Sequence, residues 1–126
     1  MQSPQWEMFI AQRDSTTRYI VAYFDDAHCL VQMADVIGQE KDGQLIHMEA
    51  VEKCTLDQAP DVLFNFFKTP NKGFSLKKDI HFNCLRQGET TASLVHCFHV
   101  KDELSLDGFR SVFRKVVDLI NARKRT

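Results

Sequence analysis

The run Arg18-Tyr19-Ile20-Val21-Ala22-Tyr23-Phe24 is β-branched and aromatic, and Asp25-Asp26 closes it. Such a segment reads as a strand. Alternation puts Tyr19, Val21 and Tyr23 on one face and Ile20, Ala22 and Phe24 on the other, so both faces are apolar. A strand of this kind belongs in the middle of a sheet with cover on both sides. The rest of the chain must then supply partner strands and covering elements.

The last segment supplies a helix. Leu106, Phe109, Val112, Phe113, Val116, Val117 and Ile120 recur at helical spacing, and Ser105 is placed to cap. Arg123, Lys124 and Arg125 fall in the final turn, where cations complement the helix dipole. A second helix carries Ala59, Val62, Leu63, Phe66 and Phe67 as its stripe, with Phe64 beside it. Thr55-Leu56-Asp57-Gln58 has the form of a capping box, Pro60 falls in the first turn, and Thr69-Pro70 ends the element. Residues 4–13 are predicted as a short first helix. Ser3-Pro4 can start it, Trp6, Phe9, Ile10 and Arg13 sit at helical spacing, and Asp14-Ser15-Thr16-Thr17 ends it. The competing reading is a strand, Met8 to Gln12, hairpinned onto the next segment.

Residues 28–37 pair with 44–51 in a predicted long hairpin. His28, Gln32, Asp35 and Gln39 form a helical stripe, but Cys29, Val31, Met33 and Ile37 alternate as a strand does. The Gly38–Gly43 segment between them reads as the loop. A second hairpin runs from Asp79 to Arg86 and from Thr90 to Val100, closed at Gln87-Gly88-Glu89. A two-residue Gly88-Glu89 loop would set Arg86 opposite Thr91, Cys84 opposite Ser93, Phe82 opposite Val95 and Ile80 opposite Cys97. One face then carries Ile80, Phe82, Cys84, Val95 and Cys97. The outward face carries His81, Asn83, Leu85, Ala92, Leu94, His96 and Phe98. The expected fold is one α+β domain over residues 1–126, a largely antiparallel sheet with helices packed on it. The expected order is α-β-β-β-α-β-β-α.

Composition narrows the function. The 126 residues hold 16 Lys+Arg against 17 Asp+Glu, a net charge of −1, so no bulk basic field exists to hold nucleic acid or an anionic membrane. No apolar run approaches the roughly 20 residues that span a bilayer. Met1 to Glu7 lacks the basic start and apolar core of a secretory signal, which predicts a cytoplasmic protein. Its four cysteines, Cys29, Cys54, Cys84 and Cys97, would stay thiols there.

The sharpest chemical grouping is His96-Cys97-Phe98-His99, across a hairpin from His81 and Cys84. Zinc needs four converging ligands. His96 and His99 are three apart and point to opposite faces, while His81 and His96 share a face that offers no third ligand. No metal or cofactor is therefore expected. A regulator or metal-dependent enzyme built on Cys84, His81 and His96 is the alternative function. A nucleic-acid module using Arg110, Arg114 and Arg123–Arg125 is a third. Gly38–Gly43 has the form GxxxxG without a following Lys-Ser/Thr, so it is no phosphate loop. Asp25-Asp26 and Asp57/Asp61 read as a strand end and a helix cap. No local signature of a catalytic residue appears, and the chain is read as non-enzymatic.

More apolar residues are present than the expected packing can bury. The outward hairpin face with Leu85, Ala92, Leu94 and Phe98 is too apolar for free surface. Phe64, Phe66 and Phe67 exceed what one side of a short helix buries. Such an excess points to a partner or self-interface. Phe64, Phe67, Leu85, Leu94, His96 and Phe98 are the candidate contacts, with a homodimer and a segment of a client protein as the partners.

The element order, the Gly38–Gly43 hairpin, the Asp57–Phe67 helix, the Asp79–Val100 hairpin and the closing helix from Leu106 together resemble the class I type III secretion chaperones (the Tir chaperone family) and YbjN-like proteins. The resemblance implies a small dimeric α+β sandwich holding an extended effector segment along apolar grooves. The 57–67 helix and the 79–100 hairpin would supply the dimer contact. Apolar residues of the sheet and first helix would hold the client.

Overall fold

The computed structural model describes residues 5–12, 18–25, 28–36, 45–69, 73–86 and 88–124. Six strands and two helices follow in the order β1 (Trp6–Gln12), β2 (Arg18–Phe24), β3 (His28–Val36), β4 (Leu45–Thr55), α1 (Ala59–Lys68), β5 (Ile80–Arg86), β6 (Leu94–Phe98) and α2 (Leu106–Lys124). All pairings are antiparallel and the sheet order is β4-β3-β2-β1-β5-β6. The α+β class with helices on an antiparallel sheet is as expected. The first element is not. Residues 6–12 form a strand, so the order opens with β where a helix was predicted. Its burial alternates strictly, with Trp6, Met8, Ile10 and Gln12 buried and Glu7, Phe9 and Ala11 half-buried. Trp6, Phe9 and Ile10 fit helical spacing by coincidence, because a central strand is apolar on both faces.

The β3–β4 hairpin forms, with Val36 opposite Leu45 and Cys29 opposite Cys54. Two register shifts interrupt the ladder, between Gln32 and Met33 and between Asp35 and Val36. Such shifts bend and twist a strand. The Gly38–Gly43 loop, the Ser3-Pro4 start and the Asp14–Thr17 stop lie outside the described residues. Thr55 and Gln58 do bond reciprocally, Thr55 N–H to Gln58 Oε1 at 3.2 Å and Gln58 N–H to Thr55 Oγ1 at 3.3 Å. They close the turn between β4 and α1, and Gln58 itself is the N-cap. Ser105 caps α2 as expected, its Oγ accepting the Gly108 N–H at 3.0 Å.

The core lies between one face of the sheet and both helices. Trp6, Met8, Ile10, Ile20, Ala22, Phe24, Cys29, Val31, Ile80, Phe82, Cys84 and Leu94 supply the sheet side. Ala59, Leu63, Phe66 and Phe67 of α1 and Phe109, Val112, Phe113, Val116, Val117 and Ile120 of α2 supply the other. Phe109 is the hub. Its ring centroid lies 5.5 Å from Phe67 and 6.3 Å from each of Phe64, Phe82 and Phe113. This packing consumes the phenylalanines of α1 that looked excessive for a single helix face.

Gln12, at the end of β1, is 2 % exposed. Its Nε2 donates to Ser75 O at 2.7 Å and Lys78 O at 3.2 Å, and its Oε1 accepts the Ser75 N–H at 2.8 Å. One amide thus satisfies three backbone groups of the segment entering β5. Gln12→Ala removes these three bonds, and the expected loss is about 1–3 kcal/mol. Phe109→Ala opens a cavity among four rings, with an expected loss of about 3–5 kcal/mol. Urea unfolding followed by the fluorescence of Trp6, the single tryptophan, measures both; a change under 0.5 kcal/mol would contradict these roles.

Candidate interaction face

The connection between β5 and β6 decides which residues reach the surface. Glu89 N–H bonds to Arg86 O at 3.0 Å with Gly88 at φ 85°, and Ser93 N–H then bonds to Cys84 O at 2.8 Å. The turn is therefore followed by an irregular stretch, and the ladder starts only at Cys84 opposite Leu94. Phe82 faces His96 and Ile80 faces Phe98, one residue away from the register expected for a two-residue loop. A shift of one exchanges the faces of a strand.

Leu94, His96 and Phe98 accordingly lie on the helix side of the sheet. Leu94 is 7 % exposed, Phe98 packs half-buried against the core, and the His96 ring lies 6.4 Å from that of Phe82. Phe67 is 2 % exposed between the helices, and Phe64 is half-buried against Phe109. Leu94 and Phe67 are thus corrected from contact residues to core. Leu85 alone of the six stands on the helix-free side.

That side has its own apolar surface. The register aligns Leu85, Glu7, Tyr23, Leu30 and Lys53 in one row across five strands. Val95, Asn83, Phe9, Val21 and Gln32 form the next. Val21 at its centre is fully buried, Phe9, Tyr23, Leu30 and Leu85 are half-buried, and Val95 on edge strand β6 is 63 % exposed. Among the described residues no helix lies on this face. Gln32 Oε1, shielded beside Val21, takes no hydrogen bond. Burial, and then the Glu7 carboxylate across the ladder, raise the Tyr23 hydroxyl above its ordinary pKa.

The other predicted groupings do not assemble. Cys84 is buried in the core, His96 is on its face, and His81 projects from the opposite face. Burial pushes the Cys84 thiol up to about 12. Arg110 is engaged, its Nη2 donating to Asp61 Oδ1 at 2.8 Å, so it does not belong to a free basic stripe. Arg125 lies outside the described residues. A groove of about 220 Å³ between α1 and α2, lined by Leu56, Pro60, Arg114 and Val117 among others, is smaller than most small-molecule sites. The donors that do converge are Asp79, Cys97 and His99. The signal for two of them was the Cys97-x-His99 spacing, which alternation places on one side of a strand. No helix of the described chain is long and apolar enough to cross a membrane.

Comparison with protein-family models, with curated proteins and with solved structures returns no match for this chain.

Two titration predictions arise from these positions. Burial first, and then the Lys115 ammonium, hold His96 below the ordinary imidazole range. The unfolded chain therefore takes up this proton more readily than the fold does. Stability is unaffected by His96 above its ordinary pKa of about 6.5 and falls as pH drops below that value, until the folded imidazole also titrates. His96→Gln should flatten this part of a stability-against-pH curve; an unchanged slope would rule the assignment out. Burial, then Cys54, push the Cys29 thiol up to about 12. At pH 8, a thiol reagent mapped by mass spectrometry should modify Cys54 and Cys97 in the native protein and reach Cys29 and Cys84 only on unfolding.

Proposed function

We propose that this chain is a small non-catalytic protein-binding domain of the chaperone or adaptor type. In this reading it self-associates through its helix-free sheet face and holds a segment of a client protein in the cytoplasm. The observation that carries the reading is one-sided packing. Both helices cover the same face, and the opposite face presents Phe9, Tyr23, Leu30, Leu85 and Val95 around Val21. Apolar side chains gathered on a sheet face without a helix are costly in water and favour a protein partner, even with Glu7 and Asn83 among them. The unpaired Gln32 Oε1 offers a buried acceptor to a donor from outside the chain. The four cysteines are free thiols, which suits a reducing compartment. The order from β2 to α2 keeps the resemblance to type III secretion chaperones, while β1 stands where that order has the client-holding helix, which leaves the sheet face to hold the client.

Light scattering coupled to size exclusion, at two protein concentrations, tests it. The expected result is a dimer that persists in high salt, because apolar contacts are not screened. Leu85→Asp with Val95→Glu should convert it to a folded monomer, since both positions lie outside the helix-side core. A wild-type monomer at every concentration, or a double variant that stays dimeric, would overturn the assignment of this face.

A further inference from the structure

The same register that buries Leu94 sets Cys97 opposite His81, on the helix-free side of the sheet near its β6 edge. Two residues on, where the chain leaves β6, His99 stands beside Asp79, which immediately precedes β5. His99 Nδ1 lies 3.0 Å from Asp79 Oδ2. The other oxygen, Asp79 Oδ1, accepts the Val100 N–H at 2.9 Å, which orients the carboxylate and leaves Oδ2 directed at the histidine. Cys97 Sγ completes the group, and the three donor atoms all lie within 4.8 Å of one another. Ligands around a tetrahedral ion at 2.0–2.3 Å stand about 3–4 Å apart, so the observed separations need only small side-chain adjustments. We propose that Asp79, Cys97 and His99 form a binding site for a zinc-class divalent cation.

The donor set argues for that class. A thiolate, an imidazole and a carboxylate together suit zinc, whereas calcium and magnesium take oxygen ligands. Three protein ligands leave one position for water, as in open zinc sites; His81, the ladder partner of Cys97, is not one of the three converging donors. Access is direct, because the His99 side chain is 79 % exposed and that of Asp79 39 %. On binding, Cys97 gives its thiol proton to solvent and ligates as the thiolate. The ion would tie the start of β5 to the end of β6. The site does not depend on the interaction-face reading, and its test is separate from oligomeric state.

Cobalt(II), titrated into the reduced, metal-stripped full chain, is the probe. One equivalent should produce a near-ultraviolet thiolate-to-metal charge-transfer band and the visible bands of a tetrahedral site. Zinc should displace the cobalt and raise the melting temperature, since a ligand bound only by the fold stabilises it. Cys97→Ser should abolish the charge-transfer band, and His99→Asn should weaken zinc binding by more than about tenfold. Cys54→Ser, which removes a thiol outside the cluster, should change neither. Circular dichroism confirms that each variant is folded. Absence of the band in the wild type, its survival in folded Cys97→Ser, or undiminished zinc affinity in folded His99→Asn would each overturn the site.

Discussion

The ladder between β1 and β5 makes one sheet out of two. On one side of it β2, β3 and β4 follow each other as a meander, and on the other stands the β5–β6 hairpin. Seven residue pairs, from Trp6 opposite Arg86 to Gln12 opposite Ile80, hold these halves together. The helices repeat the division. α1 sits over β3 and β4, α2 over β6, and the two meet above the middle. The inward side chains of β1, Trp6, Met8 and Ile10, are therefore at most 1 % exposed. Both ends of the seam are reinforced. Gln12 binds the backbone leading into β5, while the Arg86 guanidinium lies 5.4 Å from the Trp6 ring centroid and donates to Arg123 O near the end of α2.

Both helices, both hairpins and the α+β class were legible in the amino-acid order because their apolar periodicities are long and their breakers well placed. β1 was not, and the reason is its central position. A strand with apolar residues on both faces loses the alternation that marks a strand, and Trp6, Phe9 and Ile10 then mimic a helical stripe. β2 is equally apolar but is rich in β-branched and aromatic residues, so propensity resolved what pattern could not. The β5–β6 register failed for a different reason. It depends on how many residues the connection uses, and the extra ones between Glu89 and Leu94 follow from local hydrogen bonding that no pattern shows. That error of one residue moved Leu94, His96 and Phe98 to the wrong face and separated Cys97 from its true opposite, His81.

The apolar character of both β2 faces raised a demand that the chain's described helices meet only once. Ile20, Ala22 and Phe24 lie under helices, while Val21 and Tyr23 lie on the face without one. Val21 is fully buried, Leu30 and Leu85 are half-buried, and Val95 on the edge strand is exposed. The interaction reading thus comes from the asymmetry of the layers, rather than from the aromatic count that first suggested a partner. That count is satisfied internally by Phe109.

The long separation of β1 from β5 along the chain also governs the order in which the molecule can be assembled. The β5 partners of β1 lie 68 positions away for Gln12 and Ile80, and 80 for Trp6 and Arg86. During synthesis, the meander of β1 to β4 can close as it emerges, since each of its pairings is between neighbours in the chain. The outer edge of β1 must wait until α1 and all of β5 have been made. A nascent chain stopped near Lys68 therefore presents the future centre of the sheet as an open edge, with Trp6, Met8 and Ile10 on the outermost strand. Loop closure over this distance makes the last pairing the slow one. The protein is most vulnerable to wrong strand partners before translation is finished, and completion of β5 ends that interval.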